Sequence, residues 1–151
     1  MFDLKELYQE VIIDHSKRPR HFGGLEGANR EAEGFNPLCG DRLTLRLTVQ
    51  DGIVKNAAFE GAGCAISTAS ASLMTDMVIG KTEAEANDLF RRFQELITRK
   101  EPPTTDELLE LEKLAALAGV RAFPARVKCA TLAWHTLAAA LNRQTEAVKT
   151  E

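Results

Sequence analysis

Three cysteines and one aspartate are the residues of this chain best placed to do chemistry. Cys39 lies in the run Asn36-Pro37-Leu38-Cys39-Gly40-Asp41. Pro37 locks one backbone angle and Gly40 admits positive φ, which makes the run a turn able to aim Cys39 and Asp41 at a common point. Cys64 follows Gly61-Ala62-Gly63 and stands directly before a Ser-rich stretch of helical pattern, where unpaired N–H groups and the helix dipole favour a thiolate. Cys129 is expected in the first turn of the last helix, where the same field acts, with Arg126 and Lys128 adding positive charge.

Three roles are open to such cysteines: buried filler, reactive thiol or metal ligand. Cysteine often fills cores as a small hydrophobe. The flanking glycines, the Cys-Gly-Asp turn and the helix-start positions set these three apart from mid-strand filler. Three thiolates and a carboxylate, from Cys39, Asp41, Cys64 and Cys129, are the tetrahedral set that zinc takes, and so sulfur-rich a set selects zinc or iron–sulfur species over magnesium or calcium. The assembled site carries negative charge, which Arg42, Arg126 and Lys128 are expected to offset from just outside the ligands. Cys39 is the most mobile of the thiols, because a turn swings out more easily than a helix residue.

The elements that must bring these residues together are legible in part. Asp3 with Glu6 predicts a capped first helix ending near Lys17, with Leu4, Leu7, Tyr8, Val11 and Ile12 on one face. Pro19, Gly23, Gly24 and Gly27 predict a mobile or partner-facing loop that holds His21 and Phe22. Leu43, Leu45, Leu47 and Val49 alternate with Thr44, Arg46, Thr48 and Gln50, a strand with one dry face, and Asp51-Gly52 supplies a type I′ turn to a partner strand over Ile53 to Phe59. Glu31 to Phe35 is expected to add a third antiparallel strand. Four helices then follow. Thr82 with Glu85 and Thr104 with Glu107 predict capping boxes, Gly119 is expected to end the third of these helices, and the last begins near Arg126 with Ala130, Ala133, Trp134, Leu137 and Leu141 inward. Residues 144–151 read as a polar, frayed C-terminal tail after one domain over 1–143. Strands first and helices afterwards predict a single-domain α+β fold, a three-stranded antiparallel sheet with helices packed on it.

Bulk properties remove several classes of function. Nineteen Lys and Arg against 22 Asp and Glu, a net charge of −3, give no reason to expect a nucleic-acid partner. No apolar run reaches the roughly 18–20 residues of a membrane span, and the first residues lack a signal-peptide pattern, so no membrane partner and a cytoplasmic location are expected. His15, His21 and His135 read as packing or surface residues, and Ser67, Ser70 and Ser72 as close-packing residues without a partnered base. Lys17, Arg18, Arg20 and His21 form a basic cluster, open to solvent or to docking. Arg91, Arg92, Arg99 and Lys100 read as solvated.

Asn36-Pro-Leu-Cys-Gly-Asp41, Gly61-Ala-Gly-Cys-Ala-Ile-Ser67 with Ser70 and Ser72, and Arg126-Val-Lys-Cys-Ala-Thr-Leu132 followed by Trp134 resemble the three cysteine blocks of the U-type iron–sulfur cluster assembly proteins, the NifU N-terminal and IscU-like family. Within that family the chain is most similar to the SufU branch, over Leu4 to about Leu141. The resemblance implies the α+β fold with a three-stranded sheet, a metal site of Cys39, Asp41, Cys64 and Cys129, and zinc, iron or a nascent [2Fe-2S] cluster as its occupant. In the IscU branch a histidine precedes the third cysteine; here Lys128 stands there, and an ammonium has no lone pair to offer. The stretch between Arg99 and Gly119 looks like the insertion that separates SufU from IscU proteins. The SufU resemblance implies a zinc-dependent sulfur acceptor, a sulfurtransferase-like accessory that takes persulfide sulfur on Cys39, with Cys129 the alternative acceptor. The implied partners are a pyridoxal-phosphate-dependent cysteine desulfurase of SufS-like type and downstream iron–sulfur assembly components. The alternative is a scaffold that assembles and transfers a [2Fe-2S] cluster on the same ligands.

Overall fold

Leu43, Leu45, Leu47 and Val49 are buried along one face of β2 (Asp41–Gln50), which pairs antiparallel with β3 (Ile53–Ala62). Asp51 and Gly52 turn between them with φ of 55° and 74°, the two positive values a type I′ turn requires. β1 (Arg30–Asn36) adds the third antiparallel strand, in register from Arg30 opposite Leu47 to Asn36 opposite Asp41. The computed structural model describes residues 4–143 and 147–149, without the side chains of residues 4 and 5, so the expected Asp3 cap lies outside it.

The sheet has four strands and is mixed. Val148–Lys149 forms β4, parallel to β1 at Gly34 and Phe35, giving the order β3-β2-β1-β4. The expectation of a three-stranded antiparallel sheet is corrected here, because the open edge of β1 takes up residues from the polar tail. A two-residue strand carries no hydrophobic alternation by which the sequence could announce it.

The helices cover the dry face of the sheet. α5 (Pro124–Leu141) packs on β1 and β2, α2 (Ala65–Val78) packs on β3 and α5, and α1 (Leu4–Lys17) lies on α2. Trp134 is fully buried between the rings of Phe90 and Phe93 of α3 (Glu83–Thr98), with centroids 6.2 and 5.5 Å away. Both capping boxes form, at Thr82 with Glu85 and at Thr104 with Glu107. α4 stops early, at Thr105–Leu111, and Glu112–Ala122 continues as 3₁₀ turns that pass through Gly119, so Gly119 ends no helix. α5 starts at Pro124, two residues before the expected Arg126, because proline at a first helical position costs no hydrogen bond.

Arg99, expected in solvent, clamps α3 to α4 by donating to both carboxylate oxygens of Glu107, at 2.6 and 2.5 Å. That pairing above all, helped by the Thr104 N–H, holds the Glu107 carboxyl at about 2, against an ordinary 4.5. A carboxyl depressed on folding adds stability above its ordinary value and loses it as pH falls through the folded one. The protection of amides across residues 99–107, relative to their intrinsic exchange rates, is therefore expected to fall between pH 4.5 and about 2, and Glu107→Gln should flatten that response. An unchanged acid response in the variant would discount the clamp.

Candidate metal centre

Cys39 occupies the short loop between β1 and β2. Asn36 builds the loop: its carbonyl accepts the Gly40 N–H at 2.9 Å and its side-chain Oδ1 accepts the Leu38 N–H at 3.1 Å. Gly40 takes φ of 74° with open space around it, a conformation glycine adopts without strain. The loop leaves Cys39 exposed and sets Asp41, the first residue of β2, at 0% exposure.

Asp41 ties the second cysteine into place. Its Oδ1 accepts the Cys64 N–H at 2.8 Å, and its Oδ2 lies 3.7 Å from Cys64 Sγ. Cys64 caps α2, its sulfur accepting the Ser67 N–H at 3.4 Å, as expected of a helix-start thiol. A Cβ on Gly63 would meet Asp41 Oδ1 at 2.8 Å, so the backbone passes the carboxylate too closely for a side chain.

Cys129 comes from the opposite side. It is the sixth residue of α5 and buried, not in the first turn as expected, since the helix begins at Pro124. Its Sγ lies 3.2 Å from Cys39 Sγ and 4.0 Å from the Asn36 amide nitrogen. Ser70 Oγ donates to the Ala130 carbonyl at 2.5 Å and fastens α2 to α5 beside it. One ligand atom each from Cys39, Asp41 and Cys129 lie within 4.8 Å of one another. Cys64 stands outside that group of three and adjoins it through Asp41. Burial, then the contacts with Cys39 and Asp41, push the Cys129 thiol far above its ordinary range.

The expected cations are placed unevenly. Arg42 is exposed, on the face of β2 opposite Asp41 and Leu43. Arg126 is exposed and sits 4.4 Å over the Phe123 ring, and Lys128 is half-buried in α5. Asn36, quoted in sequence only as part of a motif, both shapes the Cys39 turn and faces Cys129; the Asn-Pro dipeptide was its signal. His15 is buried with Nδ1 2.7 Å from Ser72 Oγ, His21 lies 3.4 Å from Asp76, and His135 meets the Phe90 ring edge at 5.0 Å, so none adjoins the cysteines. Arg18 and Arg20 pair with Asp14. The loop holding His21 and Phe22 is tied to β3 by two backbone hydrogen bonds, Gly23 N–H to Phe59 O at 2.8 Å and Phe59 N–H to His21 O at 3.0 Å.

Gly61 sets how β3 leads into Cys64. Its φ is 148°, and a Cβ there would lie 2.1 Å from the Arg42 carbonyl oxygen, a backbone atom that cannot step aside. Gly61→Ala is expected to cost about 1–3 kcal/mol, the usual range for overpacking. Urea denaturation measures it, and a change near zero would show that the strand end relaxes freely.

The NifU-like N-terminal domain model matches residues 7–130. The iron–sulfur cluster assembly scaffold protein IscU of Streptococcus pyogenes serotype M1 is 46% identical over 144 residues, 95% of this chain and 88% of that one. The zinc-dependent sulfurtransferase SufU of Bacillus subtilis is 43% identical over 135 residues, 89% of each. Among solved structures, the SUF-system protein FiSufU of Fervidobacterium islandicum superposes with a TM-score of 0.78 at 35% identity, over 92% of this chain and 99% of that one. With a matched span that takes in all three cysteines and a fold shared over almost the full length, this chain belongs to the NifU-like N-terminal domain family.

Proposed function

We propose that the chain is an iron–sulfur cluster assembly protein that accepts persulfide sulfur on Cys39 from a cysteine desulfurase, in a zinc-dependent manner. The observation that carries this reading is the convergence of Cys39, Asp41 and Cys129 within 4.8 Å, with Cys64 held against Asp41 as the cap of α2; Cys39 and Cys64 are exposed and Cys129 is buried, and of the two exposed thiols Cys39 is the one on a loop. The donor set fits zinc: soft sulfur and one carboxylate, four in number, with Cys39, Asp41, Cys64 and Cys129 as the residues that would hold it. When bound, the ion keeps these thiols deprotonated and damps their reactivity.

The protein's own residues supply the transfer. Cys39, on its glycine-flanked loop, presents its thiolate to the terminal sulfur of the donor persulfide. A new sulfur–sulfur bond forms at Cys39 as the donor's own sulfur–sulfur bond breaks, and the donor cysteine leaves as a thiolate. Asp41 and Asn36 hold the two ends of the loop. Cys129 stays anchored in α5 and Cys64 at the start of α2.

The B. subtilis relative's name supports this reading, and the S. pyogenes relative's name supports the alternative, a [2Fe-2S] scaffold on the same ligands. Lys128 before Cys129 favours the acceptor, since an ammonium cannot ligate. Among the described residues no helix is long and apolar enough to cross a membrane, which is consistent with work in the cytoplasm beside a SufS-like desulfurase. The test is metal analysis of protein purified without chelators, joined to a single desulfurase turnover with persulfides trapped and mapped by mass spectrometry. Stoichiometric zinc and sulfur on Cys39 are expected; an air-sensitive brown cluster with no sulfur on Cys39 would transfer the assignment to the scaffold.

A further inference from the structure

Cys39 and Cys129 are 90 positions apart in sequence, yet their sulfurs sit 3.2 Å apart as free thiols. That is roughly 1 Å beyond a covalent disulfide of about 2.0 Å. Their surroundings differ. Cys39 is exposed on a loop whose Gly40 has unfilled space around it, whereas Cys129 is 3% exposed and fixed in α5. A sulfur arriving from outside reaches Cys39, and the loop side of the pair is the side that can yield.

We infer that Cys129 is the resolving thiol for Cys39: it cleaves the Cys39 persulfide, releases the carried sulfur as hydrogen sulfide and closes a Cys39–Cys129 disulfide. The inference rests on the reading of Cys39 as acceptor and adds a reductive release step. The step balances without an outside reductant. Cys39-S-SH and Cys129-SH give Cys39-S-S-Cys129 and H₂S; the bond between Cys39 Sγ and the sulfane sulfur breaks, and one forms between the two Sγ atoms. The sulfane sulfur is reduced, the two cysteines share the oxidation, and both hydrogens leave with the sulfide. The Cys129 proton passes to the departing sulfide.

Geometry selects this outcome over a relay of the persulfide to Cys129. The atom in contact with Cys129 Sγ is Cys39 Sγ, the inner sulfur of a Cys39 persulfide, and attack there expels the outer sulfur as sulfide. Cys64 Sγ is engaged instead with Asp41 Oδ2 at 3.7 Å and the Ser67 N–H at 3.4 Å, apart from the Cys39–Cys129 contact. Each release spends the thiol pair, and a dithiol reductant must reopen the disulfide before another round.

The experiment loads the full chain, zinc-loaded and zinc-free, with inorganic polysulfide, which bypasses any partner. Excess reagent is removed, hydrogen sulfide is followed over time, and thiols are alkylated for non-reducing peptide mapping. Expected is sulfide release matched one to one by a Cys39–Cys129 cross-link in the zinc-free chain, with Cys64 fully alkylated. Cys129→Ala should keep the persulfide on Cys39 and release none. Should that variant misfold, an aromatic disulfide reagent on the unmodified sequence serves as the surrogate load: two aryl thiolates released with no adduct on Cys39 or Cys129, beside one further thiolate and a lasting adduct from the exposed Cys64, uphold the pair, and a lasting adduct on Cys39 overturns it. A persulfide that persists on Cys39 beside an alkylatable Cys129, or one that moves to Cys129, also overturns it. Closure after polysulfide without uptake from a desulfurase would sink the acceptor reading and keep the resolving pair; uptake without closure does the reverse.

Discussion

Cys39→Ser is expected to bring desulfurase-dependent sulfur loading to background while leaving the fold and partner binding intact. A serine hydroxyl at neutral pH does not displace a thiolate from a persulfide, so the loss should be complete rather than graded. The fold should tolerate the change because the Cys39 side chain is exposed and the loop is held by Asn36 and Gly40. In the metal-free chain the change should stay within about 0.5 kcal/mol, as surface substitutions do, and the zinc-loaded chain should lose in addition what one of its four ligands contributes. Single-turnover trapping on the variant, read by mass spectrometry beside a binding titration with the desulfurase, checks both halves. Sulfur found first on Cys129, with Cys39→Ser still loading, would overturn the assignment.

Asp41→Ala is expected to weaken metal binding by at least the order of 10–100-fold that lost supporting contacts already cost, whereas Lys128→Ala should retain the metal. The carboxylate is both a donor within the 4.8 Å group and the acceptor of the Cys64 N–H. Its removal therefore also leaves a backbone donor short of its partner, worth about 1–3 kcal/mol of stability. Asp41→Asn separates the two effects, because the amide oxygen can still accept the Cys64 N–H but carries no charge. Metal content by elemental analysis and unfolding in chelator give the two readouts. Equal metal loss in Asp41→Ala and Lys128→Ala would show that Lys128 supplies an amine ligand, and would revive the cluster scaffold.

Local rules were enough where local forces decide. The β2–β3 hairpin follows from period-2 alternation and the Asp51-Gly52 turn, and both capping boxes follow from residues three apart whose hydrogen bonds need no distant partner. The Asn36-to-Asp41 turn and the cap at Cys64 were readable for the same reason. The Glu112–Ala122 region was not. Its apolar residues, among them Leu114, Leu117 and Val120, fit a helix by pattern, but tertiary packing holds them in 3₁₀ turns. Arg99 was mistaken for a solvated residue because its partner Glu107 belongs to another helix.

By itself the sequence determined which residues could act: the residue types, the glycine-shaped turn that exposes Cys39, and the strand-then-helix order that makes an α+β domain. Only the tertiary structure decided which of them meet. Packing of α5 across β1 brings Cys129 to 3.2 Å from Cys39, leaves Cys64 joined through Asp41, and turns Arg42 to the opposite face of the sheet. Spacing along a chain fixes distances over a turn or two. Across 90 positions the separation of two sulfurs depends on how helix and sheet surfaces interlock, and that is a property of the packed core rather than of any local run of residues.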